Sequence, residues 1–322
     1  MQPRFWRHGE AGVLPRLLFP ASLAVARITA RRLARPGWRA PVPVICCGNA
    51  GVGGAGKTTL ALDLAARLAA RGARPHFLTR GHGGHLPGPL RVTPQHDAVQ
   101  VGDEALLLAG GAPCWIGADR ATTARLATQA GATVLILDDG LQNPTLVQDH
   151  RLLVIDGAAG FGNGRVLPAG PLREPAEVAA SRATAAILIG ADQTGALTRL
   201  PPDLPVLSAH LSPAQEIAHF AGRKLVAFAG IGRPAKFFDM LTGAGLHLAA
   251  TLPFPDHHRF TPRDLARLHA SAAHHGAQLI TTPKDHVRLP QAARAGIAAI
   301  GVTLVWEDQA ALGRLLDQMI AA

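Results

Sequence analysis

One short segment constrains this chain more than any other: VICCGNAGVGGAGKTTLALDLAARLAA, from Val44 to Ala70. An apolar run leads into five glycines, a lysine and two threonines, and apolar residues then return with helical periodicity. These patterns are typical of a buried strand and an amphipathic helix joined by a glycine-rich loop. Such a loop can turn its backbone N–H groups inward around an anion at the helix N-terminus. The segment therefore predicts a phosphate-binding site.

The loop itself satisfies a known pattern. Residues 51–58 read GVGGAGKT, which matches G-x-x-x-x-G-K-[ST] between a predicted strand and a predicted helix. In loops of this type the lysine, here Lys57, reaches the β- and γ-phosphates, and the hydroxyl that follows, here that of Thr58, ligates Mg²⁺. A glycine turn without a ligand would not need the lysine. The predicted nucleotide-binding residues are Gly51, Val52, Gly53, Gly54, Ala55, Gly56, Lys57, Thr58 and Thr59.

An acidic strand end is the expected partner of such a loop, because it holds the magnesium ion. The segment TVLILDDG supplies Asp138 and Asp139 at the end of an apolar run. Two adjacent carboxylates are costly to bury without a cation, so we predict Asp138 in the magnesium shell. The [NT]-K-x-D element of GTP-binding proteins is missing, since TPKD has the wrong order. ATP is therefore the favoured nucleotide.

Strands alternate with helices after Pro41, which predicts an α/β fold of the P-loop NTPase type, with a mostly parallel sheet flanked by helices. A proline-rich segment from Pro201 to Pro213 is interpreted as a linker or a domain boundary. Strand and helix patterns resume beyond it and predict a second, smaller α/β domain. The predicted division is 1–40 for an N-terminal amphipathic helix, 41–208 for the nucleotide-binding core and 209–322 for the smaller domain.

Composition narrows the class of protein. The 322 residues are 48% hydrophobic and 17% charged, which is typical of a soluble globular protein and argues against disorder. A net charge of +10 favours anionic partners, namely phosphates, nucleic acid or an anionic membrane, but an arginine-rich composition bias explains the charge equally well. The three cysteines lack metal-ligand or disulfide spacing, which indicates a reducing compartment. Neither a signal peptide nor an uncharged apolar run of about 18 residues is evident.

The segment LPRLLFPASLAVARITARRLARPGWR, near the N-terminus, has helical periodicity. Its apolar residues fall on one face: Leu14, Leu17, Leu18, Ala21, Val25 and Ile28. Arg31, Arg32 and Arg35 follow at its end, and Pro20 either kinks the helix or starts it. The pattern is typical of a helix lying in a membrane interface, with arginines near lipid phosphates. A helix packed on its own domain would show the same pattern, and the residues leave both possibilities open.

Three further clusters carry polar residues. Asp103 and Glu104 open a predicted helix in VGDEALLLA, Arg173 lies in the rigid loop LPAGPLREP, and His257 and His258 follow Asp256 in FPDHHRFTPRDL. Each has a plain structural explanation when taken alone: charge at a helix N-terminus, a surface turn and a capped helix start.

Taken together and in order, these segments resemble the tetraacyldisaccharide 4'-kinase family across nearly the whole chain. The resemblance is carried by PVPVICCGN, VGGAGKT, LTRG, GDEALLLA, ADR, LDDGLQ, LPAGPLREP, GIGRPAKFF, FPDHHRFT and TTPKDHVRL. It implies an enzyme of lipid A biosynthesis that uses ATP and Mg²⁺ to phosphorylate the 4'-hydroxyl of a tetraacylated glucosamine disaccharide 1-phosphate. It also implies association with the cytoplasmic face of the bacterial inner membrane through the N-terminal helix. We expect neither a nucleic-acid partner nor a stable protein partner.

The resemblance also implies roles for individual residues. Asp103 corresponds to the catalytic base, assisted by His257, with His258 as the alternative. Arg173 corresponds to a residue that contacts substrate or phosphate. We further expect Glu104 to join Thr58 and Asp138 at the metal, and Arg120, Gln142 and His82 to join Arg173 at the substrate.

The sequence departs from the family pattern at several positions: Ala50 and Gly51 in the loop, Thr59 in place of proline, His82 in place of tyrosine, Asn143 in place of histidine and Pro283 in place of an acidic residue. Two other functions stay open. GGAGKTT also occurs in P-loop ATPase switches of the partitioning or metal-delivery type, which carry an extra lysine where this chain has Val52. A membrane-bound nucleotide sensor would bind ATP without needing Asp103 or His257.

Overall fold

The computed structural model describes residues 3–9 and 12–321. The predicted segments 1–40 and 209–322 therefore include residues 1, 2, 10, 11 and 322, which lie outside that description. The strands run β1 Val44–Gly48, β2 Pro75–Thr79, β3 Leu90–Arg91, β4 Cys114–Ile116, β5 Val134–Asp138, β6 His150–Asp156, β7 Ala185–Ile189, β8 Val206–Pro213, β9 Lys224–Ala229, β10 His247–Pro253, β11 Gln278–Thr281, β12 Ile297–Ala299 and β13 Val302–Trp306.

The helices run α1 Val13–Leu17, α2 Phe19–Leu33, α3 Lys57–Ala69, α4 Ala98–Val101, α5 Asp103–Ala109, α6 Arg120–Gln129, α7 Ala176–Arg182, α8 Pro234–Gly243, α9 Pro262–His275, α10 Pro283–His286, α11 Gln291–Arg294 and α12 Gln309–Ile320. The strands form two sheets. The larger has the order β13-β8-β7-β6-β1-β5-β2-β4-β3, and the smaller has the order β10-β9-β11-β12.

The larger sheet is parallel except at its two edges, where β3 and β13 run antiparallel to their neighbours. Its central strand β1 is fully buried and alternates between two cores. Ile45 and Cys47 pack in the core that contains α3 and α12, whereas Val44 and Cys46 pack in the core that contains α6 and α7. A parallel sheet covered on both faces has this burial, and it confirms the predicted fold class.

The predicted linker at Pro201–Pro213 is instead largely a strand. Strand β8 begins directly after Pro205 and ends at Pro213, so its prolines stand at or outside its ends, where no interior ladder N–H is required. After the smaller sheet the chain returns to the larger one: β13 pairs antiparallel with β8, and α12 packs against α3. The larger sheet therefore takes residues from both sides of the predicted boundary at residue 208.

The smaller sheet is parallel throughout, with one core on each face. Val226 and Phe228 of β9 pack toward α9, while Leu225 and Ala227 pack toward α8. In the chain, the strands of the smaller sheet lie between β8 and β13, which both belong to the larger sheet. Loops at the strand ends of the smaller sheet can therefore contact the larger one.

The N-terminal helices both pack and expose apolar surface. Val25 and Ala26 of α2 contact the core beside α6 and α7, and the buried Ser22 donates a 2.7 Å hydrogen bond to the carbonyl of Val166. Pro20 lies in the first turn of α2 rather than kinking it, so α1 and α2 are separate helices. The predicted apolar face is divided, because Val25 packs on the core whereas Leu17 and Ile28 are exposed. The exposed apolar residues are Val13, Leu14, Leu17, Phe19, Leu23 and Ile28. Among the described residues, no helix combines the length and apolarity needed to cross a bilayer.

Candidate functional site

The glycine-rich loop lies between β1 and α3, at the carboxyl edge of the larger sheet. Gly53 and Gly56 have φ values of 122° and 87°, which side-chain-bearing residues rarely adopt. A Cβ atom on Gly56 would also lie 2.6 Å from Ile189 Cδ1. Since Gly56 provides no side-chain cap, the first N–H groups of α3 are free of a capping side chain and face the loop. The backbone therefore has the conformation that the predicted anion cradle requires.

Lys57 is buried and held above the loop. Its Nζ donates to Asn49 Oδ1 at 3.1 Å and to the Gly53 carbonyl at 3.2 Å, and it lies 3.9 Å from Asp139 Oδ2. The ammonium group is therefore positioned by short polar contacts that a phosphate group can join or replace.

Asp138 has the environment of a metal ligand. The register of β1 with β5 places it beside Cys47, and Thr58 Oγ1 donates to its Oδ2 at 2.8 Å. Its Oδ1 is buried and has no hydrogen-bond partner. Burial, followed by the nearby charge of Glu104, raises the pKa of Asp138 to about 7. A divalent cation would satisfy the orphan oxygen and remove this penalty, so Thr58 and Asp138 fit magnesium.

Within residues 3–9 and 12–321, no three His, Cys, Asp or Glu side chains form a metal cluster. Magnesium at nucleotide sites does not require one, because it usually takes one or two carboxylates together with phosphates and water. Glu104, the third predicted metal residue, accepts a 3.1 Å hydrogen bond from Lys284 and acts electrostatically on Asp138.

Asp139 and Arg173 form a second pair at this edge. Arg173 donates from both terminal nitrogens to the Asp139 carboxylate, at 2.7 and 2.9 Å. Burial acts to raise the pKa of Asp139, but Lys57 and Arg173 outweigh it and hold that pKa below its usual value. The backbone N–H of Arg173 also donates to the carbonyl of Ala50, and that of Val52 donates to Pro171, so the 165–175 loop is fastened to the glycine-rich loop.

Gln142 joins the same network. Its Nε2 donates to the Asn49 carbonyl at 3.0 Å and to Glu174 Oε1 at 2.8 Å, and its Oε1 accepts from Arg173 at 3.3 Å. The predicted substrate residues Arg173 and Gln142 are thus brought together at the loop.

Asp103 and His257 meet from different parts of the chain. Asp103 opens α5 and is only 6% exposed, while His257 lies between β10 and α9. Asp103 Oδ2 is 3.3 Å from His257 Nδ1 and accepts hydrogen bonds from Arg288 Nε, at 2.8 Å, and from Arg288 Nη2. Burial acts to raise the pKa of Asp103, but Lys284 and Arg288 outweigh it and lower that pKa. The carboxylate is therefore ionised at neutral pH.

His258 is arranged differently from its neighbour. Its Nε2 lies 3.0 Å from Asp264 Oδ2, and its ring packs on Phe254 and Phe260, with centroids 4.7 and 5.1 Å away. Of the two histidines, the geometry therefore brings His257 to Asp103.

The remaining predicted substrate residues differ in exposure. Arg120 is 3% exposed and donates to the Gly117 carbonyl, and burial lowers its pKa to about 10. It lies inside the fold, without exposed surface for a substrate in this conformation. His82 is exposed, and its carbonyl would lie 2.3 Å from a Cβ on Gly102, the residue before Asp103. His82 thus lies beside the N-terminus of α5.

Lys284 and Arg288 were missed as site residues. Both follow β11 in the segment TTPKDHVRL, and both contact Asp103. A K-D-x-x-R pattern directly after a buried strand was the available signal, because charged residues at a parallel strand's carboxyl end lie where ligands bind.

A phosphate-cradling loop at the carboxyl edge of a parallel sheet, with a buried acidic strand end beside it, defines a P-loop nucleotide-binding protein. A model of the tetraacyldisaccharide-1-P 4'-kinase family matches residues 14–321. The chain belongs to this family.

Curated relatives agree with this assignment. The tetraacyldisaccharide 4'-kinase of Gluconacetobacter diazotrophicus is 61% identical over 319 residues, covering 99% of this chain and 98% of the relative. That of Gluconobacter oxydans is 53% identical over 321 residues, covering 99% and 98%. A crystal structure of LpxK from Aquifex aeolicus in complex with ATP superposes with a TM-score of 0.78 at 27% identity, covering 96% of this chain and all of that one.

Proposed function

We propose that this chain transfers the γ-phosphate of ATP to the 4'-hydroxyl of a tetraacylated glucosamine disaccharide 1-phosphate, in lipid A biosynthesis. Its membership of the 4'-kinase family supports this reaction. The observation that carries the proposal is the pairing of Asp103 with His257. A P-loop ATPase switch or a nucleotide sensor would have no use for this pair.

The phosphates would be held mainly by the chain's own dipoles and charges. The N–H groups of the glycine-rich loop and the ammonium of Lys57 orient the β- and γ-phosphates. Thr58 and Asp138 would hold magnesium, which when bound neutralises charge that develops on the phosphate oxygens. Most of the acceleration then comes from positioning and electrostatics.

Asp103 is proposed as the general base. It accepts the proton of the sugar hydroxyl while that oxygen bonds to the γ-phosphorus and the bond to the β–γ bridging oxygen breaks, which releases ADP. A base must be unprotonated at the working pH, and Lys284 and Arg288 keep Asp103 so. His257, at 3.3 Å, is close enough to share in holding or accepting that proton.

Arg173 is proposed to contact a phosphate of the substrates. In the structure Arg173 donates to Asp139 from both terminal nitrogens and to Gln142 from Nη1. Arginine has five N–H donors, so Arg173 can contact a phosphate oxygen while Asp139 and Gln142 hold it at the loop.

We also propose that the outer face of α1 and α2 lies on the cytoplasmic leaflet of the inner membrane. Leu17 and Val13 are each 71% exposed and Ile28 is 55% exposed. Arg31 and Arg32 end α2 on exposed positions, where they can meet lipid phosphates. A helix of this kind lies in the interface rather than spanning it.

The reaction is tested by transfer of labelled γ-phosphate from ATP to a tetraacyldisaccharide 1-phosphate in detergent micelles. We expect product from the wild type and a loss of about 10²-fold or more in kcat for Asp103→Asn, which keeps the shape but not the basicity. Asp239→Asn, an exposed carboxylate on α8, is the matched control. Steady ATP hydrolysis without lipid product, unaffected by Asp103→Asn, would instead support the ATPase switch.

A further inference from the structure

The guanidinium group of Arg288 forms hydrogen bonds to residues that are distant from one another in sequence. Arginine has five N–H donors, and the Arg288 side chain is 6% exposed. Nε and Nη2 donate to Asp103 Oδ2, Nη1 donates to the Gly230 carbonyl at 2.7 Å and to Asp285 Oδ1 at 2.9 Å, and Nη2 contacts His257 Nδ1 at 3.1 Å. Every donor of the group is therefore engaged.

Asp285 fixes the guanidinium from behind. It is completely buried, and its Oδ2 accepts from the Gly230 N–H at 3.0 Å and from Thr282 Oγ1 at 2.7 Å. Asp285 thus holds the guanidinium by Nη1. Because the group is planar and rigid, its other edge, with Nε and Nη2, faces Asp103 and His257 in one orientation.

The contact with His257 has a chemical consequence. A guanidinium group can only donate, so Nδ1 of His257 must present a lone pair to Arg288. In a neutral imidazole the proton then resides on Nε2. Asp103 alone, 3.3 Å from the same nitrogen, would favour a proton on Nδ1. Arg288 and Asp103 thus favour opposite tautomers of His257.

We propose that Arg288 is a positioning residue, which holds Asp103 and His257 together and keeps His257 in the tautomer with Nδ1 unprotonated; this inference rests on the proposed kinase function. Arg288 follows β11 of the smaller sheet, whereas Asp103 opens α5 beside the larger sheet. The pairing of Asp103 with His257 is therefore assembled only where the segment after β11 lies against α5.

The tautomer is measured directly by NMR on the full chain labelled with ¹⁵N-histidine, near pH 8. The His257 ring signals are assigned by their loss in His257→Gln. We expect Nδ1 unprotonated and Nε2 protonated in the wild type, and a shift toward Nδ1–H in Arg288→Met, where Asp103 is left as the partner. A wild-type ring protonated on Nδ1, or a ring unchanged by Arg288→Met, would overturn the proposal.

Kinetics provide a second test. We expect Arg288→Met to lower kcat by about 10- to 100-fold with KM for ATP nearly unchanged, as for partners that orient a reacting group. Arg288→Lys, which restores charge without the fork, should recover little of this loss. Arg288→Met combined with Asp103→Asn should be no worse than Asp103→Asn alone, since both act through one carboxylate.

Arg294→Met is the matched control. Arg294 lies in the same segment but donates only to the main-chain carbonyls of Val287 and Leu289, so its removal should leave kcat within about twofold. Wild-type kcat in Arg288→Met, an equal loss in Arg294→Met, or additive losses in the double variant would contradict the proposal. A wild type that forms no lipid product would instead refute the kinase function, while the tautomer result would still decide whether Arg288 positions His257.

Discussion

Asp138 and Asp139 are neighbours in sequence but carry different chemistry. Burial raises the pKa of Asp138 to about 7, whereas Lys57 and Arg173 hold that of Asp139 below its usual value. The difference follows from their partners: Asp138 has a hydroxyl donor and an orphan oxygen, while Asp139 has a full bidentate arginine. One carboxylate is left for a cation, and the other keeps Arg173 at the loop.

Magnesium binding should therefore depend on pH. Metal binds the ionised carboxylate, and Asp138 in the metal-free protein is increasingly protonated as the pH falls through about 7. We expect the affinity for magnesium–nucleotide to fall between about pH 8 and pH 6, with proton release on binding near the midpoint. Calorimetry in buffers of different ionisation enthalpy measures this release. Asp138→Asn should abolish it, and release that persists in this variant would contradict the assignment.

The 165–175 loop contacts the glycine-rich loop on one side and is itself anchored to α7. Glu174 is 1% exposed, and both of its carboxylate oxygens accept from Nη2 of Arg182, each at 2.6 Å. Gln142 ties the same carboxylate to the main chain at Asn49. The position of Arg173 therefore depends on a buried ion pair.

Breaking that pair should destabilise the fold. Arg182→Met leaves Glu174 buried without its cation, and we expect the free energy of unfolding to fall by about 3 kcal/mol, at the lower end for buried pairs because Arg182 is partly exposed. Arg199→Met, which breaks the exposed pair with Glu177 of the same helix, should cost less than about 1 kcal/mol. Denaturant unfolding measures both. Equal losses would show that burial of Glu174 does not set the cost.

Elements with a local signature were predictable and long-range contacts were not. The β1–loop–α3 unit and the strand end at Asp138 follow from apolar runs, glycines and a lysine that are adjacent in sequence. The proline-rich segment was misread because prolines mark strand ends as well as linkers, and only its pairing with β13 distinguishes the two. Arg288 acts on Asp103 across 185 positions, a pairing that no local pattern encodes.

The residues around the candidate base come from both sheets, whereas the nucleotide loop belongs to the larger sheet alone. Asp103 and Glu104 meet Lys284 and Arg288 across the boundary, and Arg233 reaches Asp156 at 3.4 Å. On another side of the molecule, α1 and α2 expose apolar residues although α2 also packs on the core. The sequence alone left packing on the domain and membrane contact as alternatives for the N-terminal helix. In the structure, α2 packs on the core, and the same helices also keep an exposed apolar face.

Membrane contact through that face predicts how surface variants bind lipid vesicles. Leu17→Asp combined with Ile28→Asp should reduce co-sedimentation with vesicles containing anionic lipid by about tenfold or more, since two exposed apolar side chains are lost and negative charge is added. Leu211→Asp, with 45% exposure on β8, should bind vesicles like the wild type. Unchanged binding of the helix variant would remove the proposed role of this face.

The proposed reaction adds phosphate to one particular hydroxyl, so the position of the new phosphate decides whether it occurs. After incubation of the wild type with ATP and tetraacyldisaccharide 1-phosphate, ¹H–³¹P correlation NMR identifies the carbon that bears each phosphate. We expect a second phosphate monoester coupled to the proton at the 4' position, formed in step with ADP. ADP without a new phosphate ester, or an ester at another hydroxyl, would contradict it.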